Sequence, residues 1–394
     1  MCFRGTEVVP GQRFPYFSAG CECDYGMAGT EAVGDTVGFG TDSVSFFCEH
    51  HPVEAQTPQP RRLVVRVLKY LGIGMLALVL AVVVTARVAL HAKPGVGKEP
   101  PAGYASTELL YLAYATGQLK TVDRDIPLPD SIEFREGVEY GKGGDVPLQL
   151  DLYLPKDLTG PTPVLMLVHG GGWSKGHRSD YRYYCIKFAE RGYVVATVSY
   201  RLKKDALFPA AVEDTKCAVR WMRANAESFG GDPERIAMIG GSAGGHLAMM
   251  AGYSSDDKEL EGTGGNAEMS SRVQAVVNLY GPVDVTTPYG RTHETVTSYL
   301  GKSYDEAPEL YERCSPLHYV TDDDAPTLIL HGTIDELVPI SQAELLDEAL
   351  EKVGVAHEYY PLEGWPHTMD VAQVVNDYCF ERMLEFLEKH LGKK

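Results

Sequence analysis

The stretch Gly240-Gly241-Ser242-Ala243-Gly244 restricts the folds open to this 394-residue chain more than any other. It follows a stretch at residues 235–239 that reads as a strand and precedes the small-residue stretch Gly245-His246-Leu247, which reads as the start of a helix. A Gly-x-Ser-x-Gly turn between strand and helix holds its serine in a strained, exposed conformation. Glycines are needed at both ends because a Cβ would clash in so tight a turn. Ser242 is therefore a candidate nucleophile.

The surrounding pattern supplies the required framework. Residues 132–140 and 148–154 read as two strands around a turn at 141–144. Residues 163–168 and 193–199 are continuous apolar runs, suited to strands buried on both faces of a parallel sheet. Residues 273–279, 327–330 and 357–361 add further strands. Residues 182–191, 209–229, 341–353 and 371–390 read as helices; Val212, Thr215, Val219 and Met222 share one face of the second. Strands alternating with helices predict an α/β class: one mostly parallel sheet of about eight strands, flanked by helices, over residues 132–394.

Two more clusters belong with Ser242. His169-Gly170-Gly171-Gly172-Trp173 follows the strand at 163–168, and its glycines leave backbone N–H groups free to meet an oxygen. Gly171, Gly172 and Ala243 are the candidate oxyanion donors, each worth about 3 kcal/mol to a barrier. His169 is expected to hold that loop. A serine also needs a base, and the base needs an orienting carboxylate. Asp335 lies just past the strand at 327–330. Of the 12 histidines, only His367 lies between the last strand and the last helix. The expected triad is Ser242, His367 and Asp335. Glu336 is the nearest rival acid, but directly after a tight turn it should point the other way.

Taken together, these residues resemble the α/β-hydrolase fold, and within it carboxylesterases similar to hormone-sensitive-lipase-like and bacterial acetylxylan or feruloyl esterase-like proteins. Val198-Ser199-Tyr200-Arg201-Leu202, Phe208-Pro209-Ala210-Ala211-Val212-Glu213-Asp214 and Phe229-Gly230-Gly231-Asp232-Pro233-Glu234-Arg235-Ile236 support the resemblance, which covers residues 132–390. It implies hydrolysis of a small-molecule ester through an acyl-enzyme, with no cofactor and no metal. The elbow lacks an aspartate before Ser242, which favours the acetyl or feruloyl side. An arylformamidase or small amidase on the same triad is the alternative; a non-catalytic binding domain is a remoter one.

Residues 284–320, which include Asp284, Tyr289, His293, Tyr299, Tyr304, Tyr311 and His318, are expected to form a small cap, with the tyrosines lining a pocket or simply packing. Asp322-Asp323-Asp324 reads as a solvated turn. Cys185, Cys217, Cys314 and Cys379 allow three disulfide pairings, between which the sequence does not choose; Cys217 reads equally as a small core residue.

The N-terminal part is different in kind. Residues 1–60 lack any sustained period and read as a disordered tail, with a start further downstream as the alternative. Cys21, Cys23, Cys48, His50 and His51 lack zinc-finger spacing. Residues 61–93 contain a charge-free apolar run, 70–86, and a span over 63–90 would suit a membrane. Arg61, Arg62, Arg66 and Lys69 precede the run and only Arg87 and Lys93 follow it, so the catalytic part is expected outside the cytoplasm on a signal-anchor. Ala86, Ala89 and Ala92 offer cleavage points for the secreted alternative, although the run exceeds a normal signal peptide. Residues 94–131 read as a linker and lead-in. Residues 1–93 carry eight basic and eight acidic side chains, so the net charge of −18 belongs wholly to residues 94–394. That acidity argues against nucleic acid as a partner.

Overall fold

Alternation along the central strands places the core on two faces. In the computed structural model, which describes residues 61–90, 95, 99–255 and 257–392, β3 (Thr162–Val168) is buried along its whole length. Val164, Met166 and Val168 join one apolar cluster; Leu165 and Leu167 join another. Side chains point alternately from a strand, so each cluster lies on its own side of the sheet.

The other strands are β1 (Ile132–Gly143), β2 (Val146–Pro155), β4 (Val194–Val198), β5 (Gly231–Gly241), β6 (Ala275–Leu279), β7 (Thr327–Gly332) and β8 (His357–Leu362). The eight form one sheet in the order β1-β2-β4-β3-β5-β6-β7-β8. β2 pairs antiparallel with both β1 and β4, and every other pairing is parallel. The sheet is therefore mixed but mostly parallel, as expected, with β2 alone reversed. The tight turn between β1 and β2 forces the reversal, since a two-residue link cannot carry a crossover.

Ten α-helices are described: α1 (Arg61–Leu90), α2 (Thr107–Ala115), α3 (Arg182–Glu190), α4 (Ala210–Asn225), α5 (Ala243–Tyr253), α6 (Pro288–Thr292), α7 (Glu294–Leu300), α8 (Pro308–Arg313), α9 (Ser341–Val353) and α10 (Gln373–Leu391). α4, α5 and α9 cover one face through Val212, Val219, Met222, Leu247, Leu346 and Leu350. α2, α3 and α10 cover the other through Leu110, Phe188, Met383 and Phe386. Each such buried side chain contributes roughly 1.5–3 kcal/mol.

The chain visits β4 on one side of β3 and then returns to β5 on the other. Crossovers thus reverse at β3 and β5, and the crevice beyond their C-terminal ends is where such sheets hold ligands. The loop after β3 carries Gly170–Gly172, and the residue after β5 is Ser242.

Cys185, Cys217, Cys314 and Cys379 are all buried and unbridged. Asp323 of the acidic turn pairs with Arg272 at 2.7 Å. In α1, residues 64–85 are exposed along their length, with a mean hydropathy of 2.4 over the span. The cleavage points Ala86 and Ala89 fall within α1, while the tail at 1–60, its Cys and His residues, Ala92 and most of 91–98 lie outside the described residues.

Candidate active site

Ser242 sits at φ 56°, ψ −125°, in backbone that L-residues rarely adopt. It is held there by its own N–H, which donates to Leu279 O at 2.8 Å, and by His246 N–H, which donates to Ser242 O at 3.0 Å. The flanking glycines are required by contact. A Cβ on Gly240 would meet the Gly244 carbonyl, and one on Gly244 would meet the Val168 carbonyl of β3.

The structure brings Ser242, His367 and Asp335 into one chain of hydrogen bonds. Ser242 Oγ lies 2.9 Å from His367 Nε2. His367 Nδ1 lies 2.6 Å from Asp335 Oδ2. A carboxylate only accepts, so Nδ1 bears the proton and Nε2 is left to accept from the serine hydroxyl. The other oxygen, Asp335 Oδ1, accepts from Leu337 N and Val338 N, each at 2.9 Å. Burial alone would raise the Asp335 pKa; hydrogen bonds from His331 and His367 overcome it and hold it at about 2. Asp335 therefore stays charged at neutral pH. Glu336 is exposed.

Gly171 and Gly172 adopt φ values of 111° and 58°. Their N–H groups, and that of Ala243, donate to no described residue. A Cβ on Gly170 would come within 3.2 Å of Ser242 Cβ, so the loop lies against the serine. His169 is buried, its ring stacked on Tyr200 at 4.5 Å and its Nδ1 2.8 Å from Gly170 O. Those contacts tie its ring to Tyr200 and to the start of the glycine loop.

Other residues at the site carry no such sequence signature. His331 lies 3.3 Å from Asp335 Oδ2. Tyr280 sets its ring edge-on to His367 at 4.9 Å, and its hydroxyl donates to buried Asp370 at 2.5 Å. Trp173, at φ 54°, stacks on Tyr299 at 4.4 Å and donates to His246 Nδ1 at 3.3 Å. His246 in turn donates from Nε2 to Cys314 O at 2.7 Å. Burial pushes the His246 pKa down to about 4, so it serves these two bonds as a neutral ring.

Residues 284–320 come close to this machinery. A Cβ on Gly172 would lie 2.7 Å from Thr295 Cγ2, at the start of α7. Tyr289 and His293 lie ring to ring at 5.2 Å. Burial, then the Asp335 charge, raises the Tyr289 pKa, while burial lowers that of half-buried His293. Tyr299 and Tyr311 are wholly buried and pack. Only a motif search keyed to spacing from His367 or Asp335 could have found His331, four residues before the acid; Tyr280 and Asp370 carry no local sequence signal.

A sequence model of the BD-FAE family matches residues 150–350. The esterase LipC of Mycobacterium tuberculosis is 34% identical over 237 residues, which is 58% of this chain and 59% of that protein. This chain thus spans about three-fifths of that curated relative. Among solved structures, the apo form of Thermogutta terrifontis esterase 2 superposes with a TM-score of 0.59 at 28% identity, covering 69% of this chain and 99% of that one. A truncated carbohydrate esterase from gut microbiota gives a TM-score of 0.58 at 25% identity, over 68% and 99% respectively. An eight-stranded sheet, a strained serine after β5 and these likenesses converge: the chain belongs to the BD-FAE family, an α/β-hydrolase of the esterase type.

Proposed function

We propose that this protein is a serine carboxylesterase for short-chain, acetyl- or feruloyl-type esters, carried on a membrane anchor. The observation that carries the reading is the continuous bond path Ser242–His367–Asp335, at 2.9 and 2.6 Å, beside three N–H groups without a described partner.

The chemistry derives from that path. His367 Nε2 takes the Ser242 proton as Oγ attacks the ester carbonyl. The carbonyl oxygen gains charge and is met by the N–H groups of Gly171, Gly172 and Ala243. Charged Asp335 stabilises the imidazolium and fixes its tautomer. His367 then protonates the leaving alkoxide, and the acyl group remains on Ser242. Water, deprotonated by His367 in the same way, releases the acid and restores the serine. Each proton that leaves an oxygen returns to one through His367, so the cycle closes without a cofactor.

The names of the relatives support ester hydrolysis, the exposed apolar α1 supports anchoring, and the excess of basic residues before its apolar run supports a catalytic part outside the cytoplasm. The test is hydrolysis of 4-nitrophenyl acetate and butyrate by the full chain and by Ser242→Ala. The variant should lose on the order of 10⁴-fold or more in kcat. Equal rates would overturn the proposal, and a preference for formyl-aryl amides would move it to the amidase alternative.

A further inference from the structure

The segment between α1 and the sheet makes contacts that a passive tether would not. Its backbone runs along the loop that carries His367. Gly103 N–H donates to Glu363 O at 3.0 Å, and Tyr104 N–H donates to Gly364 O at 2.9 Å. Pro101 O accepts from Trp365 Nε1 at 2.7 Å, and the Tyr104 ring meets that indole edge-on at 5.7 Å. The approach is so close that a Cβ on Gly103 would run into the Gly364 carbonyl.

The same segment returns on the far side of the histidine. Thr121 bridges antiparallel to Ala372. Val122 N–H donates to Val371 O, and Gln373 N–H donates to Lys120 O, both at 2.9 Å. Between these two grips, α2 buries Leu110 and Ala113 in the cluster that holds Trp365, Met369 and Ala372. His367 is thus bracketed at 363–365 and at 371–373 by one stretch of chain some 250 residues earlier. The acid loop holds the same stretch near its start: Thr333 Oγ1 accepts from Gly364 N at 2.9 Å, and Ile334 N–H donates to Trp365 O at 3.2 Å.

We infer that residues 100–122 are a strap that positions His367, so that the tether leading from α1 is part of the catalytic apparatus. The inference rests on His367 being the general base. A loop is mobile where its backbone groups are unsatisfied. A base displaced by about 1 Å can cost 10²-fold in rate. The strap satisfies the loop at both ends and so fixes the ring between Ser242 and Asp335. Pro101 follows Leu90, the end of α1, by 11 residues.

The test uses the full chain in detergent micelles. Gly103→Ala forces a methyl between strap and loop; Trp365→Phe removes the bond to Pro101 while keeping most of the ring. Leu112→Ser, on the exposed face of α2, is the control. Gly103→Ala should lower kcat 10- to 100-fold with KM within twofold, and Trp365→Phe should do so more mildly, by about tenfold. Hydrogen exchange over 363–373 should speed up in both variants, with α5 unchanged and the control like wild type. Unchanged exchange in that loop, or unchanged kcat despite faster exchange, would overturn the strap. Failure of the esterase reading would show separately, as equal rates for wild type and Ser242→Ala, while the exchange arm would still decide whether the strap holds the loop.

Discussion

His331 Nε2 lies 3.3 Å from Asp335 Oδ2 and also donates to Val338 O at 2.8 Å, tying the start of the acid loop to its end. A carbonyl can only accept, so Nε2 bears the proton and presents it to the carboxylate as well. His331→Phe keeps the buried volume and removes that donor. Loss of a hydrogen bond to a charged group should cost roughly 2 kcal/mol at pH 7, read from urea unfolding. The sign with pH is fixed. Asp335 has a folded pKa of about 2, below its ordinary 3.8, so its stabilisation is complete above pH 4 and lost as pH falls towards 2. The variant should therefore show a shallower fall than wild type between pH 4 and 2; parallel curves would exclude the role.

Trp173→Phe should uncouple the oxyanion loop from the residues behind it. The indole is the donor to His246 Nδ1, and the ring stacks on Tyr299. Without it a buried acceptor is orphaned, at about 1–3 kcal/mol. Thermal unfolding should register that loss, and kcat should fall several-fold because Trp173 directly follows Gly172. A variant as stable and as active as wild type would show that the loop needs no support from this side.

Asp370 supplies a prediction of opposite sign. It is buried, and burial raises its carboxyl pKa above 3.8 despite the bond from Tyr280. A carboxyl more easily protonated when folded destabilises at high pH and gains stability as pH falls. Asp370→Asn still accepts from Tyr280 and carries no charge. Its melting temperature should exceed that of wild type at pH 7, with the gap closing as pH falls towards about 4. A gap that is constant with pH would mean the charge is compensated by other means.

The span Val64–Thr85 should partition with lipid. The full chain should pellet with membranes and resist alkaline carbonate, and deletion of 61–90 should release it to the supernatant. Release of the intact chain by carbonate would exclude an integral anchor.

The sheet was legible because β3 and the second half of β5, from Ile236 onward, are buried and free of charge without interruption, which few other elements require. Ser242, Asp335 and His367 were legible because each lies beside a strand end in a recognisable order. The direction of β2 depended on a turn whose length the sequence displays but whose consequence for pairing had to be seen in the sheet. The grip of Gly103 and Tyr104 on the His367 loop was not legible at all. It is made by backbone N–H and carbonyl groups, which every residue possesses, between segments remote in the chain. Tyr280 was hidden for a similar reason: its value lies in a left-handed φ of 45° that aims the ring at His367, and nothing in the residue type announces it.

The four cysteine thiols described in the folded body are sealed in its interior and form no disulfide. Burial raises the pKa of all four thiols, which keeps them in the unreactive protonated form. The body therefore owes none of its cohesion to covalent cross-linking. Glutathione or dithiothreitol should leave its shape and its turnover alike, since the four described thiols hold no bridge to reduce.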